Sequence, residues 1–228
     1  MTAAALAGST GLIGSHILQQ LLAHPSVSSV YAYARRELPN PTASTKLNPL
    51  SATDTSTWTS LFPKSPVPAV FFSGLGTTRA QAGGVEAQRK IDVDLNYDLA
   101  KAAKEAGVET YVLISSASAN SKARVPYSQM KGELEDKVGA LGFKHTIILR
   151  PGLIVGARED SRPAEFAIRS IANGLKKLSS MLVDPWAQDA DVIARAAIVA
   201  GLEAAEGKGK EGVTVLAQKD IVALGKKQ

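Results

Sequence analysis

Near its start the chain reads Ala3-Ala4-Ala5-Leu6-Ala7-Gly8-Ser9-Thr10-Gly11-Leu12-Ile13-Gly14. Five apolar residues form a short buried strand, and glycines at positions 8, 11 and 14 fall where that strand turns into a helix. Gly8 permits the tight turn, Gly11 lets the backbone approach a pyrophosphate, and Gly14 lets the helix pack close to the sheet. The helix N-terminus adds free N–H groups and a favourable dipole for an anion. Three glycines at this spacing also arise by chance. The strand-to-helix setting is what points to a nucleotide.

Outward from this turn, apolar runs bounded by turn residues alternate with segments of helical period. Strands are expected at Ala3–Ala7, Val27–Ala34, Ala69–Ser73, Thr110–Ser115, Thr146–Arg150 and Val213–Leu216. Helices are expected at Leu12–Ala23, Asp92–Ala106, Ser128–Ala140, Pro163–Lys177 and Asp189–Ala205. Such alternation predicts α/β architecture: one Rossmann-like, doubly wound parallel sheet over residues 1–228. A small C-terminal helical segment at about residues 151–205 is expected over the site as a substrate lid. The Pro-, Ser- and Thr-rich stretch Leu38–Pro68 reads as an irregular crossover, with a short helix near Trp58.

The 228 residues are 45% hydrophobic and 21% charged, an ordinary globular balance. With no cysteine, disulfides, thiolate nucleophiles and cysteine-ligated metals are excluded. Three scattered histidines, His16, His24 and His145, lack metal-ligand spacing, so no metal is expected. Aromatics are 5%, too few for a base-stacking platform, and no nucleic-acid partner is expected. The net charge of +5 is dispersed, a solvated surface with at most a weak attraction to anionic lipid. No apolar run approaches the ~20 residues of a membrane span. The first seven residues lack the basic flank of a cleaved signal, so the folded domain is expected to begin at residue 2 or 3.

The second strand ends Tyr33-Ala34-Arg35-Arg36, with no carboxylate before Glu37. NAD-binding folds place an acidic residue about 20 residues past the glycines, for the ribose 2′-hydroxyl. Two guanidiniums there suit a 2′-phosphate instead, and the expected cofactor is NADPH. Further on, Tyr127 and Lys131 stand four residues apart, which on a helix places them on one face. A phenol is a poor proton relay near neutrality, and a nearby ammonium favours its ionised form. Ser115 and Ser116 lie upstream at a strand end, where ligands of doubly wound sheets bind. The pair alone is common; its conjunction with the strand-end serines carries the weight.

These features together resemble the short-chain dehydrogenase/reductase superfamily. Gly74-Leu75-Gly76-Thr77-Thr78-Arg79, Tyr127-Ser128-Gln129-Met130-Lys131-Gly132-Glu133 and Leu149-Arg150-Pro151-Gly152 narrow the likeness to an atypical branch. That branch holds the Tat-interacting-protein-type oxidoreductases and the fungal "found in mitochondrial proteome" proteins, the latter being the better match. The resemblance runs from about Ala4 to Arg158. It implies that Gly8, Ser9, Thr10, Gly11, Leu12 and Ile13 hold the pyrophosphate and that Arg35 and Arg36 hold the 2′-phosphate. Gly74 and Leu75 would line the adenosine ribose. Tyr127 would donate the proton, Lys131 would hold the nicotinamide ribose and tune Tyr127, and Arg150 and Ser115 would contact the cofactor. Ser116 is favoured over Ser115 as the catalytic serine, because the second serine of the Ile-Ser-Ser strand end serves in the standard branch. Asn96 matches a helix asparagine that supports a proton-relay water.

The activity implied is hydride transfer from NADPH to a small-molecule carbonyl. The alternative is an NADPH-bound adaptor or sensor with little catalysis. The resemblance also implies peripheral attachment to the mitochondrial outer membrane, facing the cytosol. His16, His24 and His145 read as packing or surface histidines, Glu133, Glu135 and Asp136 as a solvated face with Lys137. Arg158, Arg162 and Arg169 fall where a substrate lid would lie.

Overall fold

Four of the strands expected from sequence are apolar runs without alternation, the signature of strands covered on both faces. In the computed structural model, which describes residues 1–38, 40, 43–155 and 187–226, they lie at the centre of a parallel sheet. These are β1 (Thr2–Ala7), β4 (Val70–Ser73), β5 (Thr110–Ile114) and β6 (His145–Leu149), the last three buried throughout. Beside them run β2 (Val27–Ala34) and the two edges, β3 (Leu47–Ser51) and β9 (Gly212–Leu216). The order is β3-β2-β1-β4-β5-β6-β9, and every pairing is parallel. A two-stranded parallel pair, β7 (Leu153–Val155) with β8 (Ala187–Asp189), stands apart.

Alternate residues of the strands feed two cores. One face, with Leu6, Phe72, Val112 and Leu149, packs under α1 (Leu12–Ala23), α6 (Ala190–Ala205) and α7 (Gln218–Gly225). The other, with Ala5, Phe71, Tyr111 and Ile148, packs under α4 (Asn96–Glu105), α5 (Pro126–Gly139) and a 3₁₀ turn at Thr55–Leu61. Aromatic contacts stitch the second face: Tyr33 stacks on Trp58 at 5.2 Å and Tyr111 on Phe143 at 5.2 Å. Each large side chain so buried contributes about 1.5–3 kcal/mol.

The fold class is the expected one, with four differences of detail. The crossover at 38–68 contains β3, which sequence reading missed. Its residues are half-buried or exposed and include Pro49, tolerable at an edge but not in a sheet centre. The helix expected over Asp92–Ala106 is longer and uneven: α2 (Arg79–Ala82) and α3 (Val85–Arg89) precede a π-helical stretch at Lys90–Leu95 that runs into α4. The helix expected at Asp189–Ala205 forms as α6, yet it is a core layer rather than part of a lid. Ile193, Ala194, Ala197, Ile198 and Leu202 are buried against α1 and the sheet. Small side chains permit this approach; at Gly201 an added methyl would meet the Phe72 ring at 2.8 Å. Finally, the C-terminal residues 218–225 form α7. The helix expected at Pro163–Lys177, with Arg158, Arg162 and Arg169, lies outside the described residues.

The parallel strands β1 and β4 are where successive crossovers run in opposite directions, so a crevice opens beyond their C-terminal ends. Gly14 seats α1 on this crevice, and a methyl there would lie 1.9 Å from the Gly8 carbonyl oxygen. Gly14→Ala is expected to cost about 3 kcal/mol or more, a fall in Tm of roughly 6–12 °C. Thermal unfolding checks this, and an unchanged Tm would mean that α1 is not pressed against the turn.

Candidate active site

The glycine turn is built as its sequence requires. Gly8 has φ +83°, a left-handed conformation, and a side chain there would come within 2.5 Å of the Gly74 carbonyl carbon. The loops after β1 and β4 are therefore back to back. Gly11 N–H donates to the Gly8 carbonyl at 2.9 Å, and Thr10 and Gly11 face solvent. No side chain caps α1 and its first turn has no acidic residue, so its leading amides stay available to an anion. Ser9 is different: its buried hydroxyl donates to the Tyr33 carbonyl at 2.7 Å. That bond ties the turn to the end of β2 and leaves Ser9 its backbone to offer. Just beyond, Arg35 and Arg36 are exposed and make no ion pair among the described residues.

Beyond β4, the loop at residues 74–78 is held by two buried side chains. Asn96 accepts from Ser73 Oγ at 2.6 Å and donates to the Leu75 carbonyl at 3.0 Å. Fully buried, it is committed to this loop, and the part expected of it in a water relay has no support in its contacts. Asp92, which sequence reading missed, accepts from Thr77 N–H at 2.6 Å and from the Gln88 amide at 3.1 Å. Burial raises its carboxyl above the ordinary range, and the charge of Lys131 draws it partly back. An α-helical reading starts a helix at Asp92 and so leaves it at a solvated end. The π-helical stretch widens the chain here and buries it.

Lys131 and Tyr127 share α5, as expected, in unlike settings. Tyr127 is 41% exposed, whereas Lys131 is 6% exposed and its Nζ donates to the Ile114 carbonyl at 3.3 Å. The loop carrying Ser116 lies directly on α5, because Gly132 has no side chain to hold it off. A methyl there would sit 2.1 Å from Ser121 N. Asn120 N–H donates to the Ser128 carbonyl at 2.9 Å and completes the contact.

The two serines separate. Ser115 is buried and its hydroxyl donates to Glu135, whose carboxylate also takes the Arg150 guanidinium through Nε at 3.1 Å and through Nη2. Ser116 is half-buried, with Oγ 3.1 Å from Ser118 Oγ. Ser115 and Arg150, both expected at the cofactor, also have a partner within the protein. Both are engaged internally by Glu135, which the solvated-face reading had placed in water. Glu133 is half-buried and held below the ordinary carboxylate range by Arg89, with contacts of 2.7 and 2.5 Å. That pair ties α3 to α5. Among the described residues no cluster of His, Cys, Asp and Glu could hold a metal, and no helix is long and apolar enough to cross a membrane.

A Rossmann turn, a strand-end serine and a Tyr-x-x-x-Lys helix meet on one edge of the sheet. Residues 4–193 match the NAD dependent epimerase/dehydratase family. The chain belongs to that family. It is also 53% identical over 232 residues to Protein fmp52-1, mitochondrial, of Aspergillus terreus, covering 99% of this chain and 100% of that protein. Protein fmp-52, mitochondrial, of Neurospora crassa is 50% identical, covering 100% of this chain and 96% of its own length. These relatives bear out the resemblance to the atypical short-chain dehydrogenase/reductases. The epimerase/dehydratase fold itself is seen in MoeE5 in complex with UDP-glucose and NAD (TM-score 0.67, 19% identity, 98% of this chain and 80% of that one). It is seen again in the UDP-Glc/GlcNAc 4-epimerase from Campylobacter jejuni (TM-score 0.69, 15% identity, 98% and 82%). The family makes this chain a short-chain dehydrogenase/reductase-type oxidoreductase.

Exposure separates the two Glu–Arg pairs. Glu135→Gln, at a side chain 5% exposed, is expected to cost about 1–3 kcal/mol, or roughly 2–12 °C in Tm, allowing for its half-open Arg150 partner. Glu133→Gln, facing an Arg89 side chain that is 41% exposed, should cost under about 1 kcal/mol. Parallel thermal melts decide; equal falls would refute the assignment of Glu135 as an internal brace.

Proposed function

We propose that this chain is an NADPH-dependent reductase acting on the carbonyl group of a small molecule. One observation carries the reading. The free N-terminus of α1, the exposed Arg35 and Arg36, and the Tyr127–Lys131 face all lie at the C-terminal ends of neighbouring parallel strands. The glycine turn fits a dinucleotide, since Thr10 and Gly11 are open to solvent and the first amides of α1 have no side-chain cap where a pyrophosphate would approach. Backbone amides of residues 8–13 would hold that group, and Gly74 and Leu75 would flank the adenosine ribose. MoeE5 was solved in complex with NAD, which supports a nicotinamide cofactor here. The 2′-phosphate form is favoured by two exposed guanidiniums with no ion pair among the described residues and by the lack of a carboxylate before Glu37.

When bound, the nicotinamide supplies a hydride. The chain's own residues supply the rest. Tyr127 Oη gives a proton to the carbonyl oxygen as charge develops there, and the Ser116 hydroxyl donates a hydrogen bond to the same oxygen. Lys131 holds the nicotinamide ribose. Ser115, Glu135 and Arg150 brace the strand end beneath Ser116. The relatives' names support a mitochondrial location, and within it we place the chain peripherally on the outer membrane, where its +5 charge would face anionic lipid.

Parallel titrations of NADPH and NADH test the cofactor. A preference of about tenfold or more for NADPH, lost in Arg35→Ala/Arg36→Ala, is expected for one or two charge-assisted phosphate contacts. Equal binding of both nucleotides overturns it. On a carbonyl substrate found by screening, Tyr127→Phe should lower kcat by about 10²-fold or more. Cofactor binding without any turnover favours the adaptor reading instead.

A further inference from the structure

Asp92 is a carboxylate 1% exposed that the proposed reaction does not use. Its surroundings are built rather than incidental. The π-helical stretch that turns it inward is a rare geometry, found disproportionately at functional sites. Gln88, 5% exposed, bonds both to Asp92 Oδ2 and to the Thr77 carbonyl at 3.2 Å, closing a ring of polar contacts around the loop. Across that loop stands Lys131. A methyl on Gly76 would lie 3.7 Å from Asp92 Oδ1 and 3.9 Å from Lys131 Nζ, so opposite charges face one exposed glycine.

A buried ammonium needs a counter-charge, and its bond to the neutral Ile114 carbonyl does not provide one. Among the described residues, the other carboxylates nearby are otherwise engaged or in water. Glu135, one turn along α5, is taken by Arg150, Glu133 by Arg89, and Asp94 is exposed. We propose that Asp92 is the positioning residue for Lys131: its charge balances the buried ammonium and holds it toward Gly76, where the nicotinamide half of the cofactor is received. Asp92 acts through Lys131 and touches no reacting atom. This inference rests on the cofactor reading above.

Asp92→Asn removes the charge and the bond from Gln88 but keeps the Thr77 clamp, because the amide oxygen can still accept from Thr77 N–H. Calorimetric titrations with NADPH and with adenosine 2′,5′-bisphosphate, which lacks the nicotinamide half, read the two ends of the site independently. Asp92→Asn should weaken NADPH about tenfold or more and change the bisphosphate by less than about twofold. In a Lys131→Met background it should add less than about twofold to the loss. Equal weakening of both ligands, no weakening, or an undiminished effect without Lys131 overturns the proposal. Absence of binding of either ligand to the wild-type protein overturns the cofactor reading and this inference together. A thermal measurement covers poor folding of Asp92→Asn. Lys131→Met leaves the buried carboxylate without its counter-charge and should lower Tm by about 5 °C or more, most of it recovered in Asp92→Asn/Lys131→Met. Equal melting of the single and double variants overturns the coupling.

Discussion

Everything at the open edge of the sheet depends on the near-contact of two loops, where a side chain at Gly8 would have no room against Gly74. The strands β1 and β4 are hydrogen-bonded neighbours from Ala4↔Val70 to Ala7↔Ser73, so their loops emerge side by side. One must turn sharply into α1 while the other passes behind it. A side chain at position 8 would have to occupy the backbone of residues 74 and 75. Gly14 repeats the constraint one turn later and sets the helix end, with its available amides, over the crevice. The geometry needed to bind an anion is thus a packing result before it is a functional one.

A second principle governs the charged residues. Surface pairs such as Lys101–Glu105 contribute little and are screened. The carboxylates that matter are those taken out of water. Glu135 is matched by a bidentate guanidinium and a serine hydroxyl, a closed set that braces the ends of β5 and β6. Asp92 has neutral donors on both oxygens and, among the described residues, faces the Lys131 ammonium across a glycine, an arrangement left open on one side. A buried charge with a completed shell is scaffold, whereas one facing a lysine across an exposed glycine can act on a ligand through that lysine. That contrast separates the two sites, although the residues are of the same chemical kind.

The central strands were legible because burial on both faces demands uninterrupted apolar runs, and Val70–Ser73 or Thr110–Ile114 admit no other placement. The edge strand β3 was not legible. Half in water, Leu47-Asn48-Pro49-Leu50-Ser51 needs no hydrophobic pattern, and the neighbouring β2 supplies the order. For α6 the period was read correctly and the place was not. An alanine-rich amphipathic helix packs equally well over a site or over a core, and the partner that decides, α1 together with Phe72, is distant in the chain.

By itself the sequence determined the doubly wound architecture, the glycine turn, the twin arginines and the Tyr127–Lys131 face. Each is a local pattern, set by backbone sterics or by helical and strand periods acting over a few residues. Only the tertiary structure decided which of the adjacent serines is available, that Arg150 answers to Glu135, and that Asp92 is turned inward to stand across Gly76 from Lys131. Those are questions of which side chain meets which across separate elements. Burial, which sets the strength of every charge involved, exists only once the sheet and its helices have closed around them.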